Sequence, residues 1–291
     1  MATELNPSGS NPLFGVFFYG ARTAVNVVAP MVTTAAAVKT KLDQQQYTVT
    51  QSNPSTLTLA LDTVDSHCQS YCRSGVSRVI VIISSTPDSL AEARIRQLER
   101  NRGMTFIVVG VGVTGSTAAL NRLASHPTRY YAVPVMSFFE LILAASHISS
   151  VISDVPRLVD INSPLSIPSL VVNTYYTVQL NTYSFTTTND TIIMVASNCP
   201  GCSVYGSLSE PNPISANTNQ NSNRQNFFAA SGYPNSLYYF RIPKNTSRFY
   251  LSVLGNGMSS AYILLNIFSM PDMMTISTRN FEPTDLVSII G

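Results

Sequence analysis

The run Arg78-Val79-Ile80-Val81-Ile82-Ile83 is the feature that most narrows the folds open to this chain. Five consecutive β-branched residues with no polar alternation suit a strand buried on both faces, a position found mainly in helix-covered parallel sheets. Similar apolar runs occur at Phe14–Tyr19, Ala24–Val28, Thr105–Val109 and Tyr130–Val133. Between them the pattern changes to helical spacing. The expected helices are Thr33–Gln46, capped by Thr33 or Thr34, then Thr56–Arg73, Ala91–Asn101, Thr117–Ser125 and Ser137–Ile152. Strands alternating with helices of these lengths predict a doubly wound, mostly parallel α/β sheet over residues 1–154.

At about Val155 the helical period stops. Pro156, Pro164 and Pro168 punctuate 155–168, which reads as a linker. Residues 169–271 carry strand-like runs at 170–172, 175–180, 191–196, 237–242, 249–254 and 261–268, separated by turn clusters. This spacing predicts an all-β antiparallel sandwich of about seven or eight strands. Pro213–Asn226, rich in Asn, Ser and Gln, reads as a long exposed loop, and 272–291 as a C-terminal tail.

Composition removes several function classes. Only 11% of the 291 residues are charged and 45% are hydrophobic; the net charge of +2 includes no basic run. A surface that tracks nucleic-acid phosphates is therefore not expected. Of the uncharged stretches, Gly103–Asn121 and Phe249–Met270 come closest to a membrane span, but both are broken by glycines and hydroxyl residues, so none is expected. No leader sequence is visible after Met1. His67, His126 and His147 are too scattered to suggest a metal pair.

Four cysteines form two close pairs. Cys199-Pro200-Gly201-Cys202 reads as a structural disulfide around a β-turn, because a redox pair would stand at a helix N-terminus. Cys68 and Cys72 share one face of an expected helix, where a disulfide is awkward unless the last turn frays. A bridge across a frayed turn, partners elsewhere and two core thiols all stay open. Asn189-Asp190-Thr191 and Asn245-Thr246-Ser247 are glycosylation sequons, and with the paired cysteines they lean toward an extracellular protein.

Gly110-Val111-Gly112-Val113-Thr114-Gly115 matches the dinucleotide-binding turn G-x-G-x-x-G. It follows several α/β units instead of opening the fold, and no acidic residue closes the next strand. A tight turn after a buried strand is the preferred reading. Ser84 and Ser85 end a strand without the glycines of a nucleophile elbow. Glu140 and His147 read as a capping or solvated arrangement on one helix, and Tyr233, Tyr238, Tyr239 and Tyr250 as sandwich core and surface.

The order of Phe14–Gly20, Arg78–Ser85, Thr105–Gly112, Leu120–Pro127 and Tyr131–Phe139 resembles a von Willebrand factor A domain over residues 5–153. The resemblance implies non-enzymatic adhesion. It also implies a divalent-cation site built from Asp-x-Ser-x-Ser, a Thr and an Asp at the C-terminal edge of the sheet. Asp-x-Ser-x-Ser occurs nowhere in this chain. Thr56 matches the Thr loop, and Ser85 stands where the acid belongs, with Asp88 displaced in register. A neutral hydroxyl does not offset the dehydration of Mg²⁺, so Thr56 and Ser85 mark a degenerate site and no metal or other cofactor is expected. By the family's strand order the first, central strand has no counterpart, which reads as N-terminal truncation. The expectation is a secreted or cell-surface protein that binds a protein or glycan partner. A nucleotide enzyme using Gly110–Gly115 and an intracellular scaffold are the alternatives.

Overall fold

The computed structural model describes residues 13–20, 24–45, 55–73, 76–112, 117–159, 165–167, 171–182, 190–197, 199, 202–213, 227–231, 236–246, 248–255, 257 and 261–269. The chain divides into two compact units, Met1–Val155 and Pro156–Gly291.

In the first unit, β1 (Phe14–Phe18) and β2 (Asn26–Val32) form an antiparallel pair. β3 (Arg78–Ser84), β4 (Met104–Val111) and β5 (Ala132–Val135) form a parallel three-stranded sheet in that order. The parallel α/β expectation therefore holds for β3 to β5. The strands nevertheless fall into two sheets among the described residues, so β3 hydrogen-bonds on one side only. The exposure of its residues, of which only Ile82 is buried, corrects the reading of β3 as buried on both faces. Every residue of β4, the central strand, is buried, whereas Ile83 on β3 is 42% exposed. An apolar β-branched run specifies a strand, but its neighbours decide how much of it is covered.

The helices follow their sequence signals. α1 (Ala35–Asp43) is capped by Thr34, whose Oγ1 accepts from the Ala37 N–H. α2 (Leu57–Tyr71) buries Leu57, Ala60, Leu61, Val64 and Cys68 on one face, the i, i+3, i+4 spacing of an amphipathic helix. α3 (Glu92–Arg102) ends at Gly103, whose φ of 62° lets the chain turn out of the helix. α4 (Thr117–Leu123), α5 (Thr128–Tyr131) and α6 (Phe138–Ser153) complete the unit. Leu61, Ile95, Phe106, Leu120, Leu123 and Ile148 belong to one buried cluster that joins helices to sheet.

The second unit is built of strands among its described residues. β8 (Tyr175–Asn181), β10 (Ser203–Ser207), β13 (Arg248–Leu254) and β6 (Arg157–Val159) lie in the order β10-β13-β8-β6. β7 (Leu165–Ile167), β9 (Thr191–Ser197), β11 (Phe227–Ser231), β12 (Ser236–Ile242) and β14 (Ala261–Ser269) lie in the order β11-β12-β9-β14-β7. Val178, Leu180, Val204, Phe249 and Leu251 of the first sheet join Ile193, Val195, Phe240 and Ile242 of the second in one buried cluster. Three readings change. The 155–168 segment contributes β6 and β7 instead of serving only as a linker, because each finds a sheet edge to pair with. β6 pairs with β8 in parallel, so the unit is not purely antiparallel. Val171 and Val172 sit at a turn and are 60% and 57% exposed, not in a strand. The 214–226 part of the expected loop and the tail from 272 onward lie outside the described residues.

Candidate functional site

Strands β3, β4 and β5 run parallel, so their C-terminal ends share one edge of the sheet. This is where open α/β sheets place ligand sites. Ser55 and Thr56 begin α2 near the end of β1, and the hydroxyls here are committed to backbone. Ser55 Oγ, buried, accepts from the Gly20 N–H at 3.0 Å. Thr56 Oγ1 accepts from the Leu59 N–H at 3.2 Å, the N-cap bond that satisfies an orphan donor of the helix. Ser84 Oγ accepts from the Thr86 N–H at 3.1 Å and donates to the Thr86 carbonyl at 3.0 Å. Ser85 is exposed. Asp88, the nearest carboxylate in sequence, accepts from the Leu90 N–H at 3.0 Å and caps the 3-10 turn Ser89–Ala91.

This donor set does not fit Mg²⁺. Thr56 and Asp88 perform capping tasks, Ser85 brings no charge, and no group of three His, Cys, Asp or Glu that could hold a metal occurs among the described residues. Thr56 begins α2 and Ser85 follows the end of β3.

The glycines of the G-x-G-x-x-G match have packing tasks of their own. A Cβ on Gly110 would stand 2.6 Å from Leu120 Cδ2, so this position admits α4 against β4. Gly112 has φ +70° and donates its N–H to the Val135 carbonyl at 2.8 Å, which uses the amide that a phosphate would need. Residues 113–116 lie outside the described residues.

Beside Gly112, β5 leads through Met136 into α6. Ser137 Oγ accepts from the Glu140 N–H at 3.4 Å, and Glu140 Oε2 accepts from the Met136 N–H at 2.6 Å. This capping arrangement explains Glu140 without acid–base chemistry. The same turn leaves Met136, Phe138, Phe139, Ile142 and Leu143 between 65% and 84% exposed. Sequence reasoning did not single out these residues. The signal was there: Phe138-Phe139-Glu140-Leu141-Ile142-Leu143 is apolar around nearly the whole helix, more than one buried face needs.

The cysteines pair as Cys68–Cys72 and Cys199–Cys202, with Cα separations of 4.6 and 5.5 Å. α2 stops at Tyr71 and Cys72 is extended, so the first bridge spans a helix end, not a regular turn. The Tyr238 hydroxyl donates to the Cys202 carbonyl at 2.7 Å, and Tyr238 and Tyr250 are buried. Tyr233 lies outside the described residues, and so does the side chain of Tyr239. Asn245 is exposed in the turn after β12, with φ 62°. Asn189 lies outside the described residues. Its neighbour Asp190 accepts from Arg241 Nε at 2.9 Å and from the Lys244 N–H at 3.0 Å, which ties the Asn245 turn to the start of β9. The Arg241 hydrogen bond, with the Lys244 N–H, holds the Asp190 carboxyl below the usual carboxylate range.

A family model described as "von Willebrand factor type A domain" matches residues 2–144. No curated protein matches the sequence. Among solved structures, proximal thread matrix protein 1 from the mussel byssus aligns at 13% identity and a TM-score of 0.39, covering 55% of this chain and 39% of that one. The same protein with a zinc-occupied MIDAS motif aligns at 14% identity and a TM-score of 0.42, covering 57% and 40%. A von Willebrand factor type A protein from Catenulispora acidiphila aligns at 11% identity and a TM-score of 0.33, covering 88% of this chain and 54% of that one. The chain thus spans well under two thirds of each of these structures.

Proposed function

Residues 2–144 belong to the von Willebrand factor type A family, and from that premise we propose that the protein is a non-enzymatic extracellular binding protein. It holds a protein or glycan partner by direct surface contact at the C-terminal edge of β3–β5, without a bridging cation. The neutral Ser85, exposed where the resemblance puts an acid, carries this reading, with Ser55, Thr56 and Asp88 each accepting from a backbone amide. Those oxygens keep further lone pairs and could still face an ion, but a neutral hydroxyl brings no charge to offset the dehydration of Mg²⁺. The second unit serves as a sandwich-like recognition or spacer module. Support comes from its two sheets, which share one buried cluster.

The extracellular assignment is supported by the two disulfides and by the exposed sequon turn at Asn245. Asn189, by its sequon alone, is proposed as a second glycan site. Titration calorimetry of the full chain with MgCl₂ and MnCl₂, together with partner capture from extracellular fluid with and without EDTA, tests the cation-free reading. No saturable heat and EDTA-insensitive capture are expected. A stoichiometric Mg²⁺ or Mn²⁺ site, or capture abolished by EDTA, would overturn it. Peptide mapping of protein from its natural source tests the compartment: reduced cysteines and a bare Asn245 would count against secretion.

A further inference from the structure

α6 is apolar on two opposite faces, and among the described residues only one of them packs against the core. Leu141, Ala144 and Ile152 pack against the core of the first unit, with Ile148 and Val151 inside it. At about 100° per residue, Phe138, Phe139, Ile142 and Leu143 fall on the other side of the helix. Their exposures are 65%, 84%, 73% and 81%, and Met136, at 67%, extends the face beyond the helix start. With about 150–250 Å² for an aromatic side chain and toward the lower end of that range for Met, Ile and Leu, the five leave on the order of 600 Å² of apolar surface in water. The largest such patch on an ordinary monomer is about 300–600 Å². A stable interface takes about 800 Å² from each partner, most of which this face supplies by itself.

We infer that this face pairs with the same face of a second copy of the chain, α6 against α6 about a twofold axis. Charge separates this occupant from the others. α6 carries no Lys or Arg, and its one carboxylate, Glu140, is turned back onto the Met136 N–H. A helix that lies on a membrane surface carries cations on its polar face, and this one has none. A partner chosen by electrostatics would meet no complementary charge here. A twofold pairing opposes each residue to its own kind or its neighbour, which is costly for a charged face and costs nothing for this one. Ser146, His147 and Ser150, exposed further along the helix, form a polar margin on the C-terminal side. The inference is independent of the cation-free reading of the sheet edge, since it concerns the helix face and not the loop hydroxyls.

Sedimentation velocity of the full chain over a range of concentrations tests it. The wild type is expected to dimerise. Phe139→Glu with Leu143→Glu should weaken the dimer at least about a hundredfold, since each copy would bury two unpaired charges. Both side chains are exposed in the single chain, so thermal unfolding of the dissociated variant should show a fold like that of the parent. Ile142→Cys keeps the face apolar and should form an intermolecular disulfide under mild oxidation. A wild-type chain that stays monomeric, or a dimer that survives the double glutamate variant, would overturn the pairing. Monomers that co-sediment with neutral phosphatidylcholine vesicles through Phe139 and Leu143 would overturn it as well, in favour of a lipid surface.

Discussion

Gly110 and Leu120 are in a contact that leaves no room for a side chain between them: a Cβ at Gly110 would lie 2.6 Å from Leu120 Cδ2 and 2.7 Å from Cδ1. Leu120 is fully buried and belongs to the core of the first unit. The first glycine of an apparent phosphate-binding turn is therefore required by helix–strand packing.

Gly110→Ala is expected to destabilise the first unit by about 1–3 kcal/mol through overpacking. Urea denaturation reads the loss. Leu120→Val in the same chain should recover part of it, so that the double variant costs less than the sum of the singles. An additive pair would show that Leu120 is not the obstruction.

Ser55→Ala leaves the N–H of the exposed Gly20 without its acceptor, where water can take its place, and a loss of about 0.5–1.5 kcal/mol is expected. Thr56→Ala removes the cap of α2 and should cost about 1 kcal/mol. Both losses should be the same in EDTA and in excess Mg²⁺, as measured by thermal unfolding. A Mg²⁺-dependent difference at Thr56 would mean that its hydroxyl does more than cap.

Asp190 gives a pH signature of known sign. Its carboxyl is held below the usual range by Arg241 and the Lys244 N–H, so the charged form is the one the fold favours. Its stabilisation is complete above the unfolded value of about 3.9 and fades as pH falls through the lower folded value. Asp190→Asn should therefore be less stable than the parent near neutral pH, by at most about 1 kcal/mol because the pair is largely solvated. The two stability curves should converge in acid. A gap that widened in acid would contradict the assignment.

Each disulfide closes a loop of four or five residues, for which chain entropy gives about 2 kcal/mol. Replacing Cys199 and Cys202 together by Ala should cost about that much in guanidinium denaturation of the second unit. Tyr238→Phe should add about 1–3 kcal/mol by leaving the Cys202 carbonyl short of a donor. A negligible effect from both changes would mean that this corner is held by the surrounding strands alone.

Much of the fold was legible before any coordinates. The spacing of Leu57, Ala60, Leu61, Val64 and Cys68 marked the buried face of α2, and the start of α1 was narrowed to Thr33 or Thr34 and that of α2 to Thr56. These signals are local, because capping and 3.6-residue periodicity involve neighbours within a turn or two of chain. The candidate site was legible as loops but not as chemistry. Thr56 and Ser85 could be placed, whereas the partners of Ser55, Ser84 and Asp88 depend on which backbone amides the loops bring near.

What the sequence determined by itself is therefore the type of the long described elements, the change near residue 155 from alternating helices and strands to strands among the described residues, and the absence of an Asp-x-Ser-x-Ser sequence. The tertiary structure decided how β3 is flanked, that 157–159 and 165–167 are strands, and that one face of α6 stays in water. The reason is physical. Hydrophobic pattern states what a segment would gain by burial, but burial needs a second surface, and that surface comes from residues distant in the chain.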